Sequence, residues 1–376
     1  MVLGGGFGGL SAANAIRDAL PPGRVRITLV DRREWFMVGF AKLWIIRGTR
    51  TFEESAAPLG NLAGREIDFM KAEIERIDPS SRMVETSAGS LRYDYLVVAL
   101  GARLSPERVP GLAEHGLNLY DHGHLASIRE RLLNMESGRI AVAITGMPYK
   151  CPPAPYEAAL LMDSLLRERG RRDHIDIDVY GPAPITLPAA GPEVSGRVLE
   201  MLRAENIRFH GSCKVVSVGP AGLEFEEGGA AFDLLVAVPP HTLPPVVSGL
   251  AGGDPFIRID RMGRTRFRNI FAVGDITTLP AGKAPVPKAG VFAEGEGAVV
   301  AGCIVADITG GSGPDPFDGR GGCFIESGRE TASIIEVDAF ASTTKLSDPT
   351  RSNLEAKLQF ERDRLAGWLD CRVRRA

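Results

Sequence analysis

Apolar residues along this chain fall into short unbroken runs set off by turn residues, the pattern of strands buried on both faces of parallel sheets. Tyr93 to Gly101 is one such run, Leu234 to Val238 another, and Arg24 to Val30, β-branched and ending at Asp31, a third. A short opening strand, Met1 to Leu3, leads through a glycine turn into a helix from about Leu10 to Leu20, ended by Pro21-Pro22-Gly23. Ile67 to Val84 reads as hairpin material. Arg139 to Gly181 repeats the opening order of strand, turn, helix and strand, with Arg139 to Ile144 as its first strand. A helix near Glu193 to Glu205 and a hairpin from Cys213 to Phe225 follow. Arg258 to Val273 leads into Gly274-Asp275, and a Gly/Ala-rich helix runs from about Gly290 to Ile308. Gly310 to Gly322 reads as a Gly/Pro/Asp linker that ends in a glycine-flanked turn at Cys323. The last part is a small segment closing in a helix, Ser352 to Arg372.

Length and composition narrow the class. With 376 residues the chain has room for two or three packed units. Its net charge of −3 gives no reason to expect nucleic acid as a partner. No apolar run reaches the length of a membrane span; Leu234 to Val238 and Ala298 to Ile308 are short and bounded by Pro or Gly. There is no signal-peptide pattern at the start, and the chain opens inside its first strand, which leaves room for residues or a leader ahead of Met1. The expected location is cytoplasmic or peripheral on a membrane. Five cysteines (Cys151, Cys213, Cys303, Cys323 and Cys371) do not form a secreted disulfide scaffold in a chain this long. None makes a CxxC, so no metal site is expected. A few selective redox cysteines fit better.

The two strand–turn–helix–strand units differ at the turn. In the first, Gly4, Gly6 and Gly9 have the spacing of a dinucleotide fingerprint, and Asp31 stands where an acid would hold a ribose. A pyrophosphate would lie on the N-terminus of the first helix, met by its free N–H groups. The second turn reads GMPYKCPPAPYE, and Pro148, Lys150, Pro152 and Pro153 obstruct the close backbone approach a pyrophosphate needs. One dinucleotide site is therefore intact and its twin disabled. Cys151 takes the disabled position near the start of a helix, with Lys150 beside it, and both features should lower its pKa. Taken alone, Cys151 fits a buried structural cysteine as well as a reactive one. The pattern as a whole suggests electrons from a thiol-type donor rather than a nicotinamide.

The Tyr93–Gly101 strand and the strand Asn269 to Asp275 resemble two late motifs of the two-dinucleotide-binding flavoproteins. That resemblance implies an α/β fold of two Rossmann-like domains plus a small C-terminal segment. The first domain would comprise 1–103 and 255–310, the second 104–254, and the segment 311–376. It implies FAD as cofactor, with Gly101 and Gly274 at strand ends and Asp275 on the ribityl chain. Cys151-Pro-Pro-Ala-Pro-Tyr-Glu157, Val238-Pro-Pro-His241, Pro287-Lys288-Ala-Gly290 and Gly322-Cys323 together resemble the sulfide:quinone oxidoreductase and flavocytochrome c sulfide dehydrogenase family, over Met1 to Trp368. This likeness implies that Cys151 and Cys323 face the flavin as a redox disulfide or polysulfide bridge. It also implies that Glu157 handles protons and that Lys288 lies near the pyrimidine end of the flavin. The expected activity is FAD-dependent oxidation of sulfide or a related small sulfur compound, with electrons passed to a quinone. A cytochrome c acceptor and a type-II NADH dehydrogenase are the enzymatic alternatives, and a flavin-bound redox-sensing protein the non-enzymatic one.

Some positions depart from the family pattern. Asn118 to Arg131 carries no third cysteine but Asp121-His122-Gly123-His124, in which His124 could assist sulfur chemistry or be merely solvated. Trp35 to Ile46 has no cysteine for a covalent flavin bond, so FAD should be dissociable. In 352–372, Leu354, Leu358, Leu365, Trp368 and Leu369 alternate with Lys357, Arg362 and Arg364. That pattern fits an interfacial helix touching lipid, or one packed on its own protein or on the second copy of a homo-oligomer. Cys213, Cys303 and Cys371 are assigned no role.

Overall fold

The computed structural model describes residues 1–282 and 284–370. Its first element, β1 (Val2–Leu3), ends at the glycine turn, and α1 (Phe7–Ala19) follows at once. The helix starts three residues earlier than expected because the turn itself supplies its first residues. Next come β2 (Thr28–Asp31), α2 (Ala41–Arg47), β3 (Asp68–Lys71) and β4 (Leu96–Val98). β3 pairs in parallel with β2 and is the edge of the first sheet, so the expected hairpin is confined to Ile74–Asp78 and Met83–Thr86, joined by a third strand, Gly89–Arg92.

The second sheet is built from β5 (Leu117–Asn118), β6 (Gly138–Ile144), β7 (Ile175–Tyr180), β8 (Ile207–His210) and β9 (Leu234–Val238), in the order β5-β9-β6-β7-β8. Between these strands run α3 (His122–Asn134), α4 (Ala154–Glu168) and α5 (Gly191–Ala204). The chain then returns to the first sheet as β10 (Ile270–Ala272), giving β10-β4-β1-β2-β3, and continues into α6 (Gly290–Thr309). An antiparallel sheet, β11 (Arg320–Glu326), β12 (Ala332–Asp338) and β13 (Thr343–Leu346), and a last helix, α7 (Arg351–Leu369), complete the described residues.

Both parallel sheets are apolar on both faces, which is why their strands read as continuous runs. In the first, Val2, Leu29, Val97 and Phe271 face a core that includes α1 and α6, while Leu3, Val30, Leu96 and Ile270 face the opposite core. In the second, Ile140, Val142, Val236 and Val238 pack against α4, and Ala141, Ala143, Leu235 and Ala237 against the other layer. α1 and α6 approach closely through glycines: a Cβ at Gly297 would come within 2.5 Å of the Gly8 carbonyl.

Two expectations for the C-terminal part are corrected. The linker ends at Gly319, and Cys323 lies in strand β11, paired with Ile335, rather than in a turn. The alternation of Gly322, Cys323 and Phe324 is strand-compatible, and pairing with the β-branched β12 decides it. α7 ends at Leu369; Cys371 and Arg372 lie outside the described residues. Leu365 and Leu369 are fully buried against the first core and Trp368 packs on Phe7 and Phe36, so this face of α7 is turned inward onto its own chain.

Candidate active site

The glycine turn has the three properties that binding a pyrophosphate demands. Gly4 takes φ +104°, a conformation that residues with a Cβ rarely adopt, and a Cβ there would also strike the Ala99 carbonyl at 2.4 Å. A Cβ at Gly9 would lie 1.9 Å from the Gly4 carbonyl oxygen, so the third glycine lets helix and strand close up. A Cβ at Gly6 would meet nothing within 4 Å. That open cradle, at the N-terminus of α1, is where a diphosphate would sit. Asp31 closes its rim, with Oδ2 accepting the Gly5 N–H at 2.7 Å and Oδ1 the Arg33 N–H at 2.8 Å.

The far end of a bound FAD would meet the turn after β10. Gly274 donates its N–H to Glu296 Oε2 at 2.6 Å, which fixes the turn against α6. Burial pushes Glu296 up to about 8. The next residue, Asp275, carries a buried Oδ1 with no protein partner, and burial raises its pKa. A buried acceptor left unpaired is unfavourable, and a ribityl hydroxyl is the donor this position suits. Open cradle and orphaned oxygen together show that the residues present fit FAD. Gly101, in the left-handed region at φ +65°, follows β4 with nothing filling the space its Cβ would take. Lys288 is placed differently from a freely pointing amine. Its Nζ donates to the Asp275 carbonyl at 2.6 Å and the Thr277 carbonyl at 3.0 Å and lies 3.5 Å from the centre of the Phe256 ring. It braces the Asp275 turn, and burial pushes it down to about 8.

Cys151 precedes α4 and is fixed by its main chain, whose N–H donates to the Lys288 carbonyl at 2.7 Å. Cys323 arrives from β11, and both are half-buried free thiols packed against the same apolar core. They are close enough for the charge of one to act on the other. The sequence expectation of a lowered Cys151 pKa is corrected. Burial, then Cys323, then Glu157 hold it far above the ordinary thiol value, outweighing the helix N-terminus. Burial pushes Cys323 up to about 12, with the charge of Glu157 adding to the effect.

Glu157 lies on the first turn of α4, 1% exposed. It pairs with Lys357 of α7, which is fully buried and also donates to Glu326 Oε2 at 2.8 Å. The Trp44 indole N–H donates to the same Glu326 oxygen at 2.8 Å. Burial outweighs Lys357 and pushes Glu157 up to about 7. A base with that pKa beside two protonated thiols can take a thiol proton, and in doing so it loses the charge that opposes the thiolate. Sequence reading treated Lys357 only as a polar residue of an amphipathic helix and passed over Glu326 and Trp44. One signal was available: Leu354, Leu358, Glu361 and Leu365 share a helical face with Lys357, placing two ionisable side chains in the apolar stripe. Glu361 is indeed fully buried, 3.2 Å from the Arg50 guanidinium. Three half-buried rings, Phe40, Phe324 and Phe360, stand in a mutual triangle with centroids 5.9 to 6.2 Å apart, and Lys357 lies over Phe40 at 5.0 Å.

The remaining candidates stand apart from this cluster. His124 Nδ1 accepts the Asn118 N–H at 2.8 Å and closes a turn. Cys213 sits at the edge of the second sheet's outer core, Cys303 is buried in α6, and Cys371 lies outside the described residues. A surface hollow of about 980 Å³ follows edge strand β8, but its Arg172 and Arg208 are already bound to Asp163 and to Asp178. Among the described residues no group of three His, Cys, Asp or Glu side chains could hold a metal ion, and no helix is long and apolar enough to cross a membrane.

The raised pKa of Glu157 has a measurable consequence. Between about 4.5 and 7 the unfolded chain has lost a proton that folded Glu157 keeps, so stability falls as pH rises through that window and no further above it. Urea midpoints at pH 5 and pH 7 should therefore drop less in Glu157→Gln than in the parent. Equal drops would show that Glu157 titrates normally.

Two parallel sheets of dinucleotide-binding topology, the first with a glycine cradle that fits FAD, mark an FAD-dependent oxidoreductase of the two-dinucleotide-binding-domain class. Its N-terminal part, residues 1–147, matches the family model of pyridine nucleotide-disulphide oxidoreductases. Within the class the chain is sulfide:quinone oxidoreductase-like. It is 29% identical to the sulfide-quinone reductase of Aquifex aeolicus over 345 residues, 85% of this chain and 78% of that protein. The crystal structure of the sulfide:quinone oxidoreductase of Aquifex aeolicus superposes with a TM-score of 0.88 at 24% identity, covering 98% of this chain and 92% of the other. A type II NADH:quinone oxidoreductase of Staphylococcus aureus is also similar, 23% identical over 80% of each chain.

Proposed function

We propose that this protein oxidises sulfide, or a related small sulfur compound, through Cys151 and Cys323 and passes the electrons by way of FAD to a quinone. The observation that carries this reading is the meeting of the two thiols, from segments far apart in sequence, beside a buried base and the FAD-fitted Asp275 turn. Residues 1–103 and 255–310 would hold FAD non-covalently, with the diphosphate at Gly6, the adenosine ribose at Asp31 and the ribityl chain at Asp275. When bound, FAD supplies an acceptor for two electrons that can be passed on to a second molecule.

The chain's own residues do the sulfur chemistry. With Cys151 and Cys323 joined as a disulfide, hydrosulfide attacks one sulfur. Its S–S bond to the other breaks, a new S–S bond to the incoming sulfur forms, and the second cysteine leaves as a thiolate. The negative charge of hydrosulfide ends on that thiolate, so the step balances. Glu157 then holds or releases the proton of the persulfide, with Lys357 and Glu326 keeping its carboxyl in place. The triangle of Phe40, Phe324 and Phe360 offers flat apolar surface for a quinone ring. A cytochrome c acceptor would need no such surface.

The similarity to a type II NADH:quinone oxidoreductase supports a second reading, in which NADH is the donor. The proline-filled turn around Cys151 argues against it, because Tyr149 and Pro152 occupy that turn and close it with their own hydrogen bond at 3.1 Å. Anaerobic mixing of the oxidised protein with sulfide, and separately with NADH, tests both. Sulfide should bleach the flavin rapidly and micromolar NADH should not; the reverse result would establish the second reading. Acid precipitation should leave the yellow chromophore in the supernatant, whereas colour retained in the pellet would mean a covalent flavin.

A further inference from the structure

A second buried acid on α7 has no part in the chemistry described so far. Glu361 follows Lys357 by one helical turn, and its side chain is fully buried. Arg50 Nη1 lies 3.2 Å from its Oε2, but the two are misaligned. Among the described residues neither carboxylate oxygen of Glu361, nor that Arg50 nitrogen, has a hydrogen-bond partner. A buried ion pair that serves structure alone has its lone pairs held in hydrogen bonds, because desolvation of the carboxylate otherwise outweighs the attraction. Glu361 instead keeps two acceptor oxygens open to a group that brings a proton. Burial raises its pKa in spite of Arg50.

Its position is between the Glu157–Lys357 pair and the surface. Residues four apart on a helix have Cβ atoms about 5–6 Å from each other, so one water can bridge Lys357 and Glu361. Trp44 stands against both ends, with Lys357 Nζ and the Arg50 guanidinium each 5.1 Å from its ring centre. Arg50 itself belongs to the turn after α2, where Gly48, Thr49 and Thr51 are exposed. It links the buried acid to the solvent side. Glu326 is 12% exposed and would be another way in, but Lys357 and Trp44 both hold its Oε2.

The proposed reaction needs such a way in. Hydrosulfide, quinone and one proton give zero-valent sulfur and quinol. Two electrons leave the sulfur and reduce the quinone; hydrosulfide supplies one hydrogen of the quinol and the medium the other. Reduction of the flavin balances on the hydrogen that hydrosulfide carries, so the proton from the medium enters when quinone reoxidises it. Glu157 and Lys357 are 1% and 0% exposed, and a proton they give up must be replaced through the protein. We infer that Glu361 is the relay residue that returns this proton to the Glu157–Lys357 pair, with Arg50 at the entrance. The inference rests on the reading of a quinone as acceptor. Glu361 takes a proton from water beside Arg50 and passes it, by a bridging water, to Lys357. Lys357 hands one N–H proton on to Glu157 as it receives another, so it remains an ammonium between turnovers.

The two half-reactions separate this role from a structural one. In the Glu361→Gln holoenzyme, sodium sulfide should bleach the flavin at the parent rate, because that half takes no proton from the medium. With the flavin photoreduced and then mixed with decylubiquinone, reoxidation should slow by roughly tenfold or more. The solvent isotope effect on reoxidation in D2O should rise in the variant, since proton delivery becomes limiting, and a pH-indicator dye should show uptake of the proton delayed to the same extent. Glu361→Asp, which keeps a carboxyl, should regain most of the parent rate. Reoxidation of Glu361→Gln at the parent rate would overturn the inference. So would slowing with an unchanged isotope effect, or sulfide bleaching slowed in the same proportion, either of which would make Glu361 a structural partner of Arg50. If sulfide fails to bleach the parent, the sulfide reading fails, while the photoreduced protein and decylubiquinone still decide the relay. A photoreduced parent that passes no electrons to decylubiquinone would overturn both the quinone reading and the relay.

Discussion

Cys323→Ser should stop flavin reduction by sulfide, with a loss of roughly three orders of magnitude or more, as for removal of a covalent nucleophile. A serine hydroxyl forms no bond equivalent to S–S, so neither a bridge to Cys151 nor a persulfide can arise at that position. The cofactor should stay bound at full stoichiometry. Cys323 belongs to β11 and pairs through its backbone with Ile335, whereas FAD would be held by Gly6, Asp31 and Asp275 on other elements. Cys151→Ser should behave alike. Cys213→Ser and Cys303→Ser should keep the parent rate, since both cysteines lie in cores away from this cluster. Stopped-flow bleaching with the flavin-to-protein ratio measured alongside decides the matter. If Cys323→Ser reduced at the parent rate, direct attack of sulfide on the flavin would be the better account.

Gly6→Val should abolish FAD binding while the protein still folds. The added side chain meets no protein atom within 4 Å, and Gly6 has φ −91°, which a β-branched residue accepts. What it fills is the diphosphate cradle, so FAD content should fall below about a tenth of the parent's, because backbone N–H groups can no longer reach the phosphates. Gly9→Val makes the contrast, since its Cβ would press into the Gly4 carbonyl at 1.9 Å and damage the packing of α1 on β1. Absorbance per protein together with a thermal melt separates the two effects. An unchanged melt and full flavin in Gly6→Val would show that the cofactor lies elsewhere.

The glycine turn was legible because its requirements are local. Gly4, Gly6, Gly9 and Asp31 lie within one strand–turn–helix–strand unit, and backbone sterics alone demand those residue types there. The proposed sulfur half is expected only from a family pattern, since nothing in the spacing of Cys151 and Cys323 says that β11 will reach the start of α4. Local reasoning also misjudged Cys151 itself. A helix N-terminus and a neighbouring lysine are visible in sequence, but the desolvation that outweighs them comes from side chains of other segments. Lys357, Glu326 and Trp44 carry no such local signal: their meaning depends on Glu157, which in Lys357's case stands 200 residues away in the chain. The edge strand Asp68–Lys71 reads as hairpin in sequence because a four-residue parallel strand next to an antiparallel pair has no pattern of its own.

Cys151 adopts φ +49°, in the left-handed region where a Cβ collides with its own carbonyl at roughly 1–2 kcal/mol. Glycine would sit there without strain, and the Cys151 N–H bond to Lys288 would be kept, since it belongs to the main chain. The fold by itself therefore favours a residue with no side chain at the position where the sulfur stands. If Cys151 reacts as proposed, selection on stability and selection on reactivity pull position 151 in opposite directions, and the cysteine would persist only while that chemistry is in demand. In a lineage released from that demand, the thiol would be among the first groups to disappear, leaving a flavoprotein of the same shape with an empty hand.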